Sequence, residues 1–101
     1  MAILDLIFTS STKKIQEFKS RNAIILDVRS KTEYEAGAIE GSQHIPLTEL
    51  KTRINTIREF KKPIITCCTK GVRSANAASI LRNYNIEAIN GGGWSSLNSK
   101  L

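Results

Sequence analysis

The amino-acid sequence predicts an α/β domain in which a mostly parallel central sheet of about five strands is flanked by helices on both faces. Short apolar runs rich in β-branched residues, such as Ala23–Val28 and Pro63–Cys67, alternate with stretches whose apolar residues recur at helical spacing. Ala23–Val28 is apolar at almost every position, as expected for a parallel strand that is covered on both faces. Strands and helices that alternate in this way favour a largely parallel sheet between two helical layers.

Each element follows from its local pattern. Strands are predicted at the apolar runs: an edge strand at Ile3–Phe8, then Ala23–Val28, Gln43–Ile45, Pro63–Cys67 and Ile86–Ile89. Helices are predicted where a capping residue precedes apolar residues three or four apart: after Ser10-Ser11-Thr12, from Ser30 or Thr32 to Glu35, over Thr48–Phe60, from Ser74 as N-cap to Arg82, and over Trp94–Leu97.

Length and composition predict one globular domain that spans residues 1–101. With 41% hydrophobic and 24% charged residues, the chain has the composition of an ordinary globular domain. No apolar run approaches the roughly 20 residues needed to cross a bilayer, and the segment Met1–Phe8 lacks the basic region of a signal peptide. Two adjacent cysteines cannot cross-link distant parts of a fold. We therefore expect a cytoplasmic protein with free thiols, without a membrane contact, a cofactor or a metal ion.

The most informative segment is Cys67–Ser74, with the sequence CCTKGVRS, which follows a predicted strand and leads into a predicted helix. Its central part, Cys68–Arg73, forms a six-residue loop at the end of the strand, where open α/β sheets place their ligand sites. Backbone N–H groups of such a loop converge, and the helix N-terminus adds partial positive charge. Lys70 and Arg73 add fixed charge. The loop therefore predicts a reactive thiolate beside a site that attracts anions.

The pattern Cys-x-x-Gly-x-Arg-Ser at the end of a strand resembles the active loop of the rhodanese family. Three other stretches agree in order and spacing: Ile24–Arg29 with the family's strand ending in Asp-Val-Arg, Glu33–Pro46 with its Glu-Tyr to Ile-Pro signature, and Gly91–Trp94 with its closing glycines and tryptophan. The similarity runs from about residue 23 to the C-terminus. Ala38 stands where His is usual and His44 where Asn is usual, and neither position lies in the loop.

This resemblance implies a thiosulfate sulfurtransferase of the single-domain rhodanese type, with Cys68 as the nucleophile that holds sulfur as a persulfide. The loop residues implied to bind the donor are Thr69, Lys70, Gly71, Val72 and Arg73, and the residues expected to support the loop are Asp27, Arg29 and Ser74. Arg29 is expected to pair with Glu33 or another carboxylate. The expected partners are a small anionic sulfur donor such as thiosulfate, a thiol or cyanide acceptor, and a protein that donates or accepts sulfur.

Two alternative functions remain open on the sequence. One is a sulfur-carrier domain that takes sulfur from a protein donor through the same thiol. The other is a phosphatase or arsenate reductase of similar fold, because counting from Cys67 turns the loop into the Cys-x5-Arg spacing of those enzymes. Gly71 lies three residues after Cys68, as in sulfurtransferases, and strand alternation turns the two cysteines to opposite faces. Both features favour Cys68 and make Cys67 a small buried side chain.

The remaining polar residues have structural interpretations. His44 is the only histidine, without a second ligand at metal-binding spacing. Glu33, Glu35 and Glu40 fit a solvated surface. The net charge of +6 includes basic residues around one predicted helix, namely Lys51, Arg53, Arg58, Lys61 and Lys62. Because no aromatic residues alternate with these charges, attraction of small anions is favoured over nucleic-acid binding.

Overall fold

The computed structural model describes residues 12–101, which form a parallel sheet with helices on both faces. In chain order the elements are helix α1 over residues 12–20, strand β1 (Ile24–Asp27), helix α2 (Lys31–Ala36), strand β2 (Gln43–His44), a 3-10 helix (Leu47–Arg53), helix α3 (Ile54–Glu59), strand β3 (Ile64–Cys68), helix α4 (Val72–Asn83), strand β4 (Ala88–Gly93) and helix α5 (Trp94–Asn98). The strand order is β2–β1–β3–β4, and all neighbouring strands are parallel. The predicted α/β class is confirmed. Among these helices, none is both long enough and apolar enough to cross a membrane.

The sheet differs from the prediction in its strand count and in its last strand. The described residues hold four strands rather than five, and the expected edge strand Ile3–Phe8 lies outside them. Strand β4 begins later than predicted and continues through the glycine run, because after a register shift Cys68 still pairs with Gly93. The single helix predicted over Thr48–Phe60 is a 3-10 helix followed by α3. In the 3-10 segment the Thr52 hydroxyl donates to the Glu49 carbonyl at 2.8 Å, a local bond that competes with regular helix.

Successive side chains of the strands alternate between two apolar layers. One layer joins the sheet to the 3-10 helix, α3 and α4, and includes Leu26, Ile64, Cys68, Leu50, Ile57, Ala77 and Leu81. The other layer joins the sheet to α1 and α5, and includes Ile65, Cys67, Ile15, Phe18 and Leu97. The two adjacent cysteines therefore face opposite sides of β3, as the period of two predicts.

Helix α4 begins at Val72, three residues before the start predicted with Ser74 as the N-cap. Gly71 occupies the N-cap position with a φ of 100°, a conformation that suits glycine, and its carbonyl accepts the Ala75 N–H at 3.0 Å. The prediction of Ser74 as the N-cap is wrong because its hydroxyl bonds to the Asn90 side chain rather than to the helix backbone. Consequently, the first turn of α4 lies directly beside Cys68.

Candidate active site

The sulfur of Cys68 lies where β3 ends and the loop to α4 begins. It accepts hydrogen bonds from the N–H groups of Gly71 at 3.0 Å and Ser74 at 3.3 Å, and it lies 3.2 Å from the Ser74 Oγ. Cys68 lines an open cleft of about 300 Å³. The other residues that line the cleft are Glu33, Thr69, Lys70, Val72 and Arg73. The structure thus brings all of the predicted loop residues around one sulfur atom.

Two opposing effects act on the pKa of the Cys68 thiol. Burial raises this pKa, because an anion is poorly solvated away from water. Hydrogen bonds from the N–H groups of Ser74, Gly71 and Lys70 lower it, and the Ser74 hydroxyl lowers it whenever it donates to the sulfur. The hydrogen bonds outweigh burial, so the pKa lies below its ordinary value. Cys68 is therefore stabilised in the thiolate form, which is the nucleophilic form of cysteine.

The N-terminus of α4 supplies further donors at the cleft. The first N–H groups of a helix have no carbonyl partner within that helix. In α4 these groups belong to Val72, Arg73 and Ser74, and the Ser74 N–H already bonds to the sulfur. Together with the partial positive charge of the helix end, the N–H groups of Val72 and Arg73 can stabilise a second sulfur atom or an oxyanion.

Glu33 connects the loop to α2, a role that its interpretation as a surface carboxylate does not anticipate. Its two carboxylate oxygens accept hydrogen bonds from Arg73 at 2.7 and 2.9 Å, and one of them also accepts the Thr69 hydroxyl at 2.9 Å. Hydrogen bonds from Arg73, Ser30 and Thr69 hold the pKa of the Glu33 carboxyl well below its usual range. The pairing compensates much of the Arg73 charge, which makes the exposed Lys70 the more available cation at the cleft. The capping-box spacing of Ser30 and Glu33 is the sequence signal that fixes this carboxylate at the start of α2.

Asn90 holds the loop from the β4 side and is not among the predicted site residues. Its Oδ1 accepts the Ser74 hydroxyl at 2.6 Å and the Gly92 N–H at 2.9 Å, while its Nδ2 donates to the Gly71 carbonyl at 3.2 Å. One side chain therefore fixes both ends of the turn that carries the N–H donors. An asparagine before three glycines has the composition of a turn, so the sequence offers little sign of this role.

Close backbone contacts explain two of the glycines in β4. A Cβ atom on Gly93 would lie 2.7 Å from the Thr69 carbonyl oxygen, and one on Gly91 would lie 2.7 Å from the Thr66 carbonyl oxygen and from a methyl of Ile65. Carbonyl oxygens cannot move aside as a flexible side chain can. The glycine run therefore lets β4 lie directly against the loop.

Cys67 lies in the opposite apolar layer, beside Ile65 and Leu97. It is fully buried, and burial together with the negative charge of Asp27 raises the pKa of its thiol to about 12. Such a thiol stays protonated at neutral pH and is a poor nucleophile. These surroundings favour Cys68 as the reactive cysteine.

Asp27 and Arg29 form a buried ion pair that does not line the cleft. Arg29 donates from Nη2 and Nε to the Asp27 carboxylate at 2.8 and 3.0 Å, and from Nη2 to the Gly37 carbonyl. Its guanidinium carbon lies 4.8 Å from the centre of the Trp94 ring. The predicted pairing of Arg29 with a carboxylate is confirmed, with Asp27 rather than Glu33 as the partner. Arg29 is thus tied to Asp27 at the end of β1 and to Gly37 just after α2. These bonds fix both ends of the segment 29–37, which carries Glu33.

His44 has structural contacts. Its ring stacks on Tyr34 with centroids 4.4 Å apart, and its Nε2 lies 2.7 Å from the Arg29 carbonyl oxygen. Because a carbonyl can only accept, this nitrogen carries the hydrogen. Within residues 12–101 no group of three or more His, Cys, Asp or Glu side chains is arranged to hold a metal ion.

We expect the Cys68 thiol to titrate below about 8.5, the value of a free cysteine. Iodoacetamide reacts with the thiolate, so its rate should rise with pH and reach half of its plateau at the pKa. A Cys67→Ala background isolates one thiol, and the same protein unfolded in urea provides the control with an ordinary pKa. Sulfate should slow the reaction by occupying the N–H donors. An ordinary cysteine titration without protection by sulfate would contradict this description of the site.

The site is thus a strand-end cysteine on a parallel sheet, and the N–H groups of a loop and a helix N-terminus surround its sulfur, an arrangement that suits an anion. The family model of the Rhodanese-like domain matches residues 11–100. The chain belongs to this family, which confirms the resemblance drawn from the sequence.

Curated relatives include proteins of different length and name. The chain is 45% identical to the uncharacterized protein YqhL of Bacillus subtilis over 69 residues, which cover 66% of this chain and 54% of YqhL. It is 32% identical to the thiosulfate sulfurtransferase GlpE of Ectopseudomonas mendocina, with 70% of this chain and 64% of GlpE covered. It is 35% identical to the tRNA sulfurtransferase of Thermoplasma acidophilum, with 67% of this chain and 13% of that enzyme covered. The chain thus spans less than two thirds of the length of each of these relatives.

Solved structures show the same architecture. A rhodanese-related protein from Thermoplasma volcanium has 29% sequence identity and a TM-score of 0.71, with 88% of each chain covered. A Rhodopseudomonas palustris protein described as a possible tyrosine phosphatase has 26% identity and a TM-score of 0.71, with 97% of this chain and 87% of that chain covered. Proteins described by different chemistries therefore share this fold, and function must be argued from the loop.

Proposed function

We propose that this chain is a sulfurtransferase that moves sulfane sulfur through a persulfide on Cys68. The observation that carries the proposal is the set of N–H donors on the Cys68 sulfur at the floor of an open cleft. Relatives named as a thiosulfate sulfurtransferase and a tRNA sulfurtransferase support sulfur transfer over other chemistries of this fold.

In the first half of the reaction, the Cys68 thiolate attacks the outer sulfur of thiosulfate. A bond forms between the Cys68 sulfur and that outer sulfur, the sulfur–sulfur bond of thiosulfate breaks, and sulfite leaves with the electron pair. The product is an anionic persulfide on Cys68. The outer sulfur carries most of this charge, and the N–H groups of Val72 and Arg73 lie on the helix turn that can stabilise it.

In the second half, a nucleophile such as cyanide or a thiolate attacks the outer sulfur of the persulfide. The new bond forms to the acceptor, and the electron pair of the broken sulfur–sulfur bond returns to Cys68 as a thiolate. The donors from Gly71 and Ser74 stabilise that leaving thiolate. Because the two substrates react in separate steps, the kinetics should be ping-pong.

Lys70 supplies the charge that attracts the donor, while Arg73 chiefly ties the loop to Glu33. We therefore expect Lys70→Ala to raise the KM for thiosulfate about two- to five-fold and to leave kcat nearly unchanged, as for the loss of one exposed charge contact. The matched control is Lys51→Ala, which removes an exposed lysine that does not line the cleft.

Paired alkylating reagents test whether charge is the cause of the Lys70 effect. Iodoacetate is an anion and iodoacetamide is neutral, and both react with the Cys68 thiolate. Lys70→Ala should slow iodoacetate more than iodoacetamide, and added salt should shrink that difference. Equal slowing of both reagents would show that Lys70 acts on the loop and not on the incoming anion.

A second candidate is a sulfur-carrier domain that receives sulfur from a protein. The small share of the Thermoplasma tRNA sulfurtransferase that this chain matches favours it, because there the similar region is one part of a larger enzyme. The same Cys68 persulfide serves both functions, and both suit the reducing cytoplasm, where thiols stay free. The phosphatase alternative has less support, because Cys67 is buried with a raised pKa.

Initial rates with thiosulfate and cyanide separate these functions. The proposal expects thiocyanate formation with parallel double-reciprocal plots, and no turnover of p-nitrophenyl phosphate or arsenate under the same conditions. Persulfide formation from a cysteine-desulfurase-type protein donor, without turnover of thiosulfate, would select the carrier function. Hydrolysis of the phosphate ester without thiocyanate formation would overturn both.

A further inference from the structure

The hydroxyl of Ser74 lies between two groups that can accept its hydrogen. Its Oγ is 2.6 Å from the Asn90 Oδ1 and 3.2 Å from the Cys68 Sγ. A serine has one hydroxyl hydrogen, so it can donate to only one of the two at a time. The direction of this hydrogen decides whether Ser74 favours the thiol or the thiolate form of Cys68.

The backbone around Asn90 fixes the orientation of its side-chain amide. The Gly92 N–H, which can only donate, lies 2.9 Å from one terminal atom of the amide, and the Gly71 carbonyl, which can only accept, lies 3.2 Å from the other. The first atom is therefore the oxygen and the second the nitrogen. An amide oxygen only accepts, so the short contact between Ser74 and Asn90 requires the Ser74 hydrogen. The Ser74 Oγ is then left as an acceptor facing the Cys68 thiol.

We propose that Asn90 is a positioning residue that directs the Ser74 hydroxyl hydrogen away from Cys68, so that backbone N–H groups alone stabilise the resting thiolate. This inference rests on the proposed function only in taking Cys68 as the reactive thiol. When Asn90 holds the hydrogen, the hydroxyl can stabilise the thiolate only by giving up its 2.6 Å bond. Because the nucleophilicity of a thiolate falls as its pKa falls, this arrangement keeps the Cys68 thiolate more nucleophilic than it would be if it also accepted the Ser74 hydrogen.

Other charges around Cys68 remain the same when Asn90 is changed. The loop and α4 contribute Lys70 and Arg73, and α2 contributes Glu33. The neighbouring thiol of Cys67 on β3 is titratable but is absent from the Cys67→Ala background. Strand β4 presents only Asn90 and the uncharged glycine run to the loop. A change in the titration of Cys68 on substitution of Asn90 therefore reports on the Ser74 hydroxyl or on the loop backbone, and a second substitution separates the two.

The test measures the pH dependence of Cys68 alkylation by iodoacetamide, with all variants in a Cys67→Ala background. Asn90→Ala frees the Ser74 hydroxyl to turn toward the sulfur, and we expect the pKa of Cys68 to fall by about one unit. Asn90→Asp keeps an acceptor for the hydroxyl and adds a negative charge, so the pKa should rise by about one unit. Asn90→Ala combined with Ser74→Ala should titrate like Ser74→Ala alone. Asn98→Ala, an exposed asparagine on α5, is the matched control and should change nothing.

The proposal is supported if Asn90→Ala and Asn90→Asp shift the pKa of Cys68 in opposite directions. It also requires that Asn90→Ala have no effect once Ser74→Ala has removed the hydroxyl. A rise in pKa for Asn90→Ala, or an equal shift with and without the hydroxyl, overturns it and leaves Asn90 with a purely structural role. If circular dichroism shows that Asn90→Ala is unfolded, Asn90→Asp decides, and an unchanged or lowered pKa there overturns the proposal. Alkylation needs no sulfur donor, so failure of sulfur transfer would leave this result intact.

Discussion

Cys68→Ser is expected to lower the rate of sulfur transfer by about a thousand-fold or more, because the thiolate forms the bond that carries the sulfur. A serine hydroxyl keeps the size of the side chain but is a far weaker acid, so the donors from Gly71 and Ser74 have no anion to hold. Thiocyanate formation from thiosulfate and cyanide measures the loss.

Cys67→Ala is the matched control for that substitution. Cys67 lies in the opposite apolar layer of β3, so the variant should keep most of the activity and lose only packing. Loss of activity in Cys67→Ala together with its retention in Cys68→Ser would contradict the assignment of Cys68 as the nucleophile and restore the Cys-x5-Arg spacing counted from Cys67.

Arg29→Ala is expected to have the largest effect on stability. Arg29 is 4% exposed and Asp27 is fully buried, so the substitution leaves a buried carboxylate without its cation. Removal of one partner of a buried pair costs about 3–5 kcal/mol, a large share of the 5–15 kcal/mol by which domains of this kind are stable. Urea unfolding followed by circular dichroism measures the change in the free energy of unfolding.

Arg21→Ala provides the control for charge without burial. Arg21 contacts Glu17 and Glu87 at 2.9 and 2.8 Å, but its side chain is 40% exposed. Solvent screens exposed ion pairs and they contribute little to stability, so this variant should lose little. Similar losses for Arg21→Ala and Arg29→Ala would show that burial does not determine the cost.

The loop at Cys68 could be predicted from the sequence because its determinants are local. The cysteine, the glycine that permits the turn and the two cations lie within the segment Cys67–Ser74, and a strand period of two assigns opposite faces to the two cysteines. The order of strands and helices is also a local property, since it follows from hydrophobic periodicity. These are the parts of the fold and site on which sequence and structure agree.

The contacts that hold the loop could not be predicted, because they join residues far apart in the chain. Glu33 is 36 residues from Thr69, and Asn90 is 16 residues from Ser74. Pairing across such distances depends on the strand order, in which β3 lies between β1 and β4. The wrong start of α4 has the same origin, since a serine near a helix N-terminus looks like a cap until a distant partner for its hydroxyl is known.

The central claim is that Cys68 carries sulfur as a persulfide, and mass spectrometry tests it most directly. Cys67→Ala protein is treated with thiosulfate, freed of excess reagent, digested without reductant and compared with a sample that is then treated with cyanide. The expected result is one added sulfur atom on the peptide that contains Cys68, and its loss after cyanide with the thiol restored. A peptide that gains no sulfur from thiosulfate or from any persulfide donor, although its Cys68 is free and reacts with iodoacetamide, would contradict the claim.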